Sequence, residues 1–407
     1  MPAASLIVAG LSSRMMAESA AQAGLRVAAL DLFGDADTRH VAACWEPIGA
    51  ANTLSIDGER LLAGLRRLRG SPQLLGWVAG SGFEAHPELL EAGHALVPLL
   101  GNHAATVRAV KAPGPFFRLL SALGIPHPET SLTPPPEPAG WLCKRTGGTG
   151  GWHIRPAAAA IRTAPADAAS YFQRQCPGVP MSALFLAHRS GVRLLGISRQ
   201  RMAAARERPY LFEGALGPMM VPAGLEARLH EIVHCIARET SLVGLNSIDF
   251  LFDAPDLSVL EVNPRPPASM ALYTHAYPLG LMHAHLQACQ GVLPAPPAEP
   301  PAGVRGFRLV FAQRPAQVNA MLTAVLLRTG WCHDIPVPGT HVAVGEPLCT
   351  VSAAAATAQA VEAALHQRCE QIQSLLKDRH DESYCNPGFG RSAPTDLPDL
   401  AAERQLA

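Results

Sequence analysis

Two stretches of this chain combine residue types suited to holding a polyphosphate. In Trp141-Leu-Cys-Lys144-Arg-Thr-Gly147-Gly148-Thr149-Gly150-Gly151-Trp-His-Ile154, an apolar run presents a lysine and then a glycine-rich loop. Glycines let backbone N–H groups approach phosphate oxygens unobstructed, and a lysine ammonium supplies a point charge. In a Walker A loop the lysine follows the glycines and opens a helix, so this is a different arrangement. By itself the stretch reads equally well as a glycine-rich hairpin with a solvated lysine.

The second stretch is Leu245-Asn-Ser-Ile-Asp249-Phe-Leu-Phe252, followed by Leu257-Ser-Val-Leu-Glu261-Val-Asn263-Pro-Arg265. It reads as two short strands joined by a turn at 253–256. In an antiparallel hairpin Asp249 lies near Glu261, and the two-residue period puts Glu261 and Asn263 on one face. Two carboxylates and an amide oxygen around one spot make a hard-oxygen site suited to Mg²⁺, completed by nucleotide phosphates. Arg265 can then reach a transferring phosphoryl group. A solvated edge strand is the competing reading, disfavoured because Glu-x-Asn-Pro-Arg follows an apolar strand and ends at a rigid proline turn. Phosphate holders upstream and metal ligands downstream are together what phosphoryl transfer requires.

These residues need elements to position them. Residues 1 to about 104 alternate strand and helix. Ser5–Ala9, Arg26–Leu30, Leu74–Ala79 and Ala95–Leu100 read as strands, and Ser13–Ala23 and His86–Ala92 as helices, which implies a parallel α/β layer. Lys111–Gly124 reads as one helix, ahead of Thr133–Pro138, which no helix or central strand can hold. Longer strands follow to about Cys289, with a helix over Glu226–Glu239. The proline cluster Pro294–Pro301 marks a linker. Beyond it, Gly306–Gln313 and Val342–Val351 read as strands, Ala353–Lys377 as an amphipathic helix, and the residues from about Asp381 as a loose tail.

Bulk properties narrow the function. The chain has 407 residues, 48% hydrophobic and 16% charged, with zero formal net charge. That length predicts two or three packed units. The balanced charge argues against nucleic acid as the main partner, since phosphate binding needs a basic excess. Nine cysteines, none in a CxxC pair, suit reduced thiols. No run reaches the ~20 apolar residues that span a bilayer, and the first ten residues lack signal-peptide character, so a cytoplasmic protein without a membrane partner is expected.

With both stretches in view, the sequence resembles the ATP-grasp superfamily. It is most similar in pattern to the biotin-carboxylase-like predicted carboligases, including those associated with cofactor synthesis in one-carbon metabolism. The resemblance covers roughly residues 1–290, and the C-terminal unit more weakly. It implies a mixed α/β and α+β fold: a Rossmann-like pre-ATP-grasp domain over 1–104, a two-subdomain ATP-grasp domain over 105–293, a small C-terminal α+β domain over 302–380 and a tail over 381–407.

The same resemblance assigns roles. Lys111 and Lys144 are the nucleotide lysines, and Gly147, Gly148, Thr149, Gly150 and Gly151 the phosphate loop. Gln173, Arg174 and Gln175 fall in the hinge that reads adenine through backbone hydrogen bonds, with Arg174 where many relatives carry an acidic residue. Asp249, Glu261 and Asn263 match the metal ligands, and Arg265, with Lys144, the catalytic residues. The implied cofactors are ATP and Mg²⁺, or Mn²⁺ in its place. The implied activity is an ATP-dependent carboxylate–amine ligase working through an acyl phosphate, with small-molecule partners and room for a homodimer. The alternatives are a carboxylase using bicarbonate and an ATP-binding module without turnover.

Other signals are weaker. Gly80-Ser-Gly82-Phe-Glu-Ala85 is a degenerate dinucleotide motif lacking an acidic residue about 20 positions on, so a tight turn shaping the substrate pocket is the better reading. His283, His285 and Cys289 do not make a metal cluster, because residues two apart do not share a helix face. His275 is a candidate for lining the active site. Val337–Thr350 resembles hairpins of biotin-carboxylase C-terminal domains, and without a lysine it is no carrier segment.

Overall fold

The computed structural model describes residues 3–50, 54–163, 169–203, 209–295 and 303–384. The proline cluster lies largely outside these residues, as do the last 23 positions (385–407).

The N-terminal unit is a four-stranded parallel sheet in the order Cys44–Pro47, Arg26–Asp31, Ser5–Ala9, Leu74–Ala79. Its near-continuous apolar strands are those of a sheet covered on both faces. Leu6 and Val8 pack on one side and Ile7 and Ala9 on the other. The carboxyl ends of these strands, where open α/β sheets hold ligands, run into Gly10–Ser13, Leu32–Asp35 and Gly80–Ala85.

The expected strand Ala95–Leu100 does not form. Ala95, Leu96 and Val97 donate back to Glu91 and Gly93, extending the end of helix Pro87–His94, and only Leu99 bridges Trp77. Pro98 lacks the N–H a ladder needs, and a short apolar run does not distinguish a helix end from a strand. The expected helix Lys111–Gly124 is likewise two helices, Ala104–Lys111 and Pro113–Ala122, with Ala112 extended between them (ψ 113°). Pro113 imposes that break by disfavouring the helical conformation at the residue before it. Lys111 is thereby the last residue of its helix and free to turn inward.

A small antiparallel sheet follows, in the order Thr130–Ser131, Ser170–Arg174, Trp141–Arg145, Arg155–Pro156. The largest sheet has eight antiparallel strands: Asp256–Asn263, Gly244–Asp253, Val179–His188, Gly191–Met202, Phe212–Gly217, Val304–Phe311, Pro347–Ala355 and Cys332–His333. Its last three strands belong to the C-terminal segment, joined through pairing of Phe212–Gly217 with Val304–Phe311. The expected strand Val342–Val351 is interrupted at Ala343–Glu346. Its first residues pair with Ala316–Gln317, and the ladder on the main sheet starts at Pro347. Ala353–Ala355 stay in that ladder, so the last helix starts at Ala358 instead of Ala353.

Helix Ala223–Thr240 covers one face of the large sheet and buries Leu229, Ile232 and Ile236 against Phe185, Ile248 and Phe250. No helix among the described residues is long and apolar enough to cross a membrane. Phe250 is fully buried, and its neighbour Asp249 points to the opposite face of the strand. Truncating Phe250 to alanine is expected to cost about 3–5 kcal/mol, measured by urea unfolding.

Candidate active site

The hairpin Gly244–Asp253/Asp256–Asn263 sets the site. Asp249 pairs directly with Glu261 and Ser247 with Asn263. Asn263 Nδ2 donates to Asp249 Oδ2 at 3.1 Å, and Ser182 Oγ donates to Asp249 Oδ1 at 2.7 Å from the adjacent strand. Burial and then the Glu261 charge push the Asp249 carboxyl up to about 6. Burial alone would also raise Glu261, but Lys111, Lys144 and His153 override it and hold this carboxyl at about 2. Its side chain is still 42% exposed, and it lines the central cleft, so it remains available to a ligand.

Lys111 Nζ donates to Glu261 Oε2 at 2.7 Å and to Asn263 Oδ1 at 3.2 Å. An ammonium thus stands against two of the three oxygen donors that a divalent ion would use, and the donor set suits Mg²⁺ or Mn²⁺. Lys144, buried on strand Trp141–Arg145, donates to Gln173 Oε1 at 2.6 Å. Burial, opposed by Glu261 and reinforced by Lys111, lowers the pKa of its ammonium.

The glycine loop closes over this group. Gly147 (φ 72°) and Gly151 (φ 77°) adopt left-handed conformations, and a Cβ would lie 2.6 Å from Ala85 Cα at the first and 1.8 Å from the Tyr210 carbonyl oxygen at the second. Only glycine permits both approaches. Thr149 and Gly150 line the cleft, while Gly148 passes under the His153 ring. Burial, and beyond it the charges of Lys144 and Lys111, hold the His153 imidazole at about 4 and hence neutral near pH 7, against an opposing effect of Glu261.

Arg265 is fixed from the N-terminal unit. Its Nε donates to Glu84, a buried carboxylate whose other oxygen accepts from Gly82 N–H at 2.7 Å. Burial would raise Glu84, but Arg265 and Lys111 hold it below the usual carboxylate range. Asn102 Nδ2 binds the Pro264 carbonyl at 2.9 Å and so anchors the turn that carries Arg265.

Lys111, Lys144, Asp249, Glu261 and Asn263 therefore converge, with Arg265 on the same cleft. The hinge is partly different from expectation. Gln173 and Arg174 lie on strand Ser170–Arg174, Gln175 follows, and all three line the cleft. The buried Gln173 side chain serves Lys144, and the backbone N–H groups of Arg174 and Gln175 are already bonded to Glu129 and Gly140 carbonyls. His275 lines the cleft, whereas His285 is a buried scaffold residue accepting from Leu245 N–H at 2.9 Å.

Sequence reasoning does not find Glu84, His153 or Ser182 as members of the site. Each is visible in it, Glu84 inside the glycine turn and His153 right after the glycine loop, but nothing local reveals the partner each meets. Nor does the N-terminal unit present a dinucleotide seat. Ser13 N–H and Oγ, where a pyrophosphate would sit at the first helix, both donate to Asp31 Oδ2, at 3.0 and 2.6 Å. An internal carboxylate takes the anion's place.

The cleft among the three units has a volume of about 1290 Å³. Basic residues and a glycine loop thus face an acidic hairpin across this cleft. Residues 115–269 match the ATP-grasp domain family model. Over most of its length the chain has the fold of biotin carboxylase from Campylobacter jejuni, with a TM-score of 0.67 at 14% identity, covering 88% of this chain and 89% of that one. N5-carboxyaminoimidazole ribonucleotide synthetase from Thermus thermophilus aligns at a TM-score of 0.66 and 17% identity, covering 91% and 98%. L-amino acid ligase from Bacillus licheniformis aligns at 0.67 and 13%, again covering 91% and 98%. No curated protein matches the chain. The chain thus contains a stretch similar to the ATP-grasp domain and shares its overall fold with biotin carboxylase.

Two outcomes follow from this geometry. A metal on Asp249 must displace its proton below pH 6, so Mn²⁺ affinity, read by electron paramagnetic resonance, should fall about tenfold per pH unit below that point and level off above it. Glu84→Gln removes the charge that fixes Arg265. Nucleotide affinity in an equilibrium titration should stay within about threefold, while turnover falls roughly tenfold or more.

Proposed function

We propose that this protein is an ATP-dependent carboxylate–amine ligase. The carrying observation is the convergence of Lys144, Arg265, Asp249, Glu261 and Asn263 on one cleft, with Lys111 bonded to Glu261 and Asn263. Lys111, Lys144 and the glycine loop bind the phosphates of ATP. Asp249, Glu261 and Asn263 hold the metal, which when bound neutralises phosphate charge. Arg265, oriented by Glu84, stabilises negative charge developing on the transferred phosphoryl group.

A substrate carboxylate oxygen attacks the γ-phosphorus and the bond to ADP breaks. The acyl phosphate formed is then captured by an amine, which loses a proton and expels phosphate. The residues needed for this bind, orient and compensate charge, and no covalent nucleophile on the protein is required.

The cleft volume of about 1290 Å³ accommodates an organic acid and an amine. It exceeds the roughly 300–1,000 Å³ of an ordinary ligand pocket, leaving space beside the nucleotide. The neighbours include both an amino acid ligase and a biotin carboxylase, so bicarbonate is kept as a control. A role in cofactor biosynthesis and a cytoplasmic setting remain part of the proposal.

The test is ADP release over pooled carboxylates and amines. Release requiring one of each is expected, with Arg265→Ala lowering kcat by about 10²–10³. Release with bicarbonate in place of an organic acid identifies a carboxylase instead. ATP binding without ADP under any condition identifies a binding module.

A further inference from the structure

A second polar centre lies on the same cleft, where the N-terminal and C-terminal units meet. Arg14 Nε donates to Asp334 Oδ1 at 2.7 Å and Nη1 to Glu18 Oε2 at 2.9 Å, while Asp37 Oδ2 lies 3.6 Å from Nε. Asp37 also accepts the backbone N–H groups of Asp334 and Ile335, at 2.8 and 3.1 Å. The fourth carboxylate is Asp35. It is only 8% exposed and lines the cleft, yet it does not cap the helix it precedes. Among the described residues it has no side-chain hydrogen bond or ion pair.

Four carboxylates thus surround one guanidinium, and three are satisfied by it or by backbone. His333 adds no positive charge near neutral pH, since burial and then Arg14 hold it at about 4. Arg368 is engaged on the Trp331 ring, 5.2 Å from its centroid. The Asp35 carboxyl group is left without a protein partner on the cleft wall, where a ligand that donates hydrogen bonds can complete it. Burial, then the charges of Asp334 and Asp37, raise its pKa well above the ordinary value, and a cation seated against it would draw it back toward the ionised form.

We propose that Asp35, with Asp334 and Asp37 beside it, is the subsite for an ammonium or guanidinium group carried on a substrate. A divalent ion fits poorly. Glu18, Asp37 and His333 are close enough to share one, but both Asp37 oxygens already accept backbone N–H groups and Glu18 accepts from Arg14. A single cation that donates hydrogen bonds matches the one unsatisfied carboxylate.

The inference rests on the ligase reading, which sets the reacting atoms beside Arg265. Glu84, the holder of Arg265, follows strand Leu74–Ala79, and Asp35 follows strand Arg26–Asp31, two steps across the sheet. Two inter-strand steps are about 10 Å. The recognised cation is therefore distal to the bond being made, and the substrate is an elongated molecule cationic at its non-reacting end.

Calorimetric titration of the full chain with n-butylammonium and with its uncharged counterpart n-pentanol tests this without turnover. Wild type should bind butylammonium about tenfold or more tightly than pentanol. Asp35→Asn should abolish that preference, and Asp35→Glu should retain part of it. ATP affinity, measured on each variant, should be unchanged and reports folding. Equal binding of the two probes by wild type overturns the subsite even if ADP release is observed, as does an Asp35→Asn protein that keeps the preference. A strong Mn²⁺ signal lost in Asp35→Asn but kept in Asp249→Asn also overturns it. An absence of ligase activity alongside an Asp35-dependent preference refutes only the ligase reading.

Discussion

Asp249 and Glu261 face each other across one rung of a hairpin, and that juxtaposition needs compensating cations. The hairpin cannot supply them within its own strands. Lys111 comes from a helix end and Lys144 from a separate sheet, and Arg265 stands just past the second strand, turned toward Glu84. Two like charges at this separation repel strongly in a low-dielectric interior, so the surrounding elements are held in place by electrostatics as well as packing. The same field that stabilises Glu261 as an anion leaves Asp249 the weaker acid of the two.

The turn Gly80–Ala85 links this charge arrangement to the N-terminal unit at two points. Glu84 orients Arg265, and the Ala85 backbone lies against Gly147 of the phosphate loop. The unit thereby braces the proposed phosphate site from outside, and Asp31 fills the anion position at its own first helix.

Much of this is legible in the sequence where the signal is local. The hairpin turn, the Asp249–Glu261 pairing and the shared face of Glu261 and Asn263 follow from strand alternation. The parallel N-terminal strands follow from apolar runs spaced by helices. What is not legible depends on long-range meetings. Lys111 and Glu261 are 150 positions apart, and nothing near Glu84 in the chain announces Arg265. Gln173 shows the limit well: its position on the hinge is readable, but its commitment to Lys144 depends on strand register between two segments separated by a loop. Proline also misled locally. Pro113 splits a continuous helical pattern, and Pro98 removes the donor from a stretch whose composition suits a strand.

The eight-stranded sheet runs without interruption from Asp256–Asn263 to the C-terminal strands, tying the acidic hairpin and the C-terminal segment into one hydrogen-bonded body. The sheet bearing Lys144 and the glycine loop is separate from it. On the proposed function, a swing that admits the nucleotide falls to that small sheet, moving about the peptide leading out of Arg174, while Asp249, Glu261 and Asn263 share one sheet with the strand that leads to Asp334. A substrate is gauged by a rigid ruler, and only the jaw that grips the triphosphate has to open.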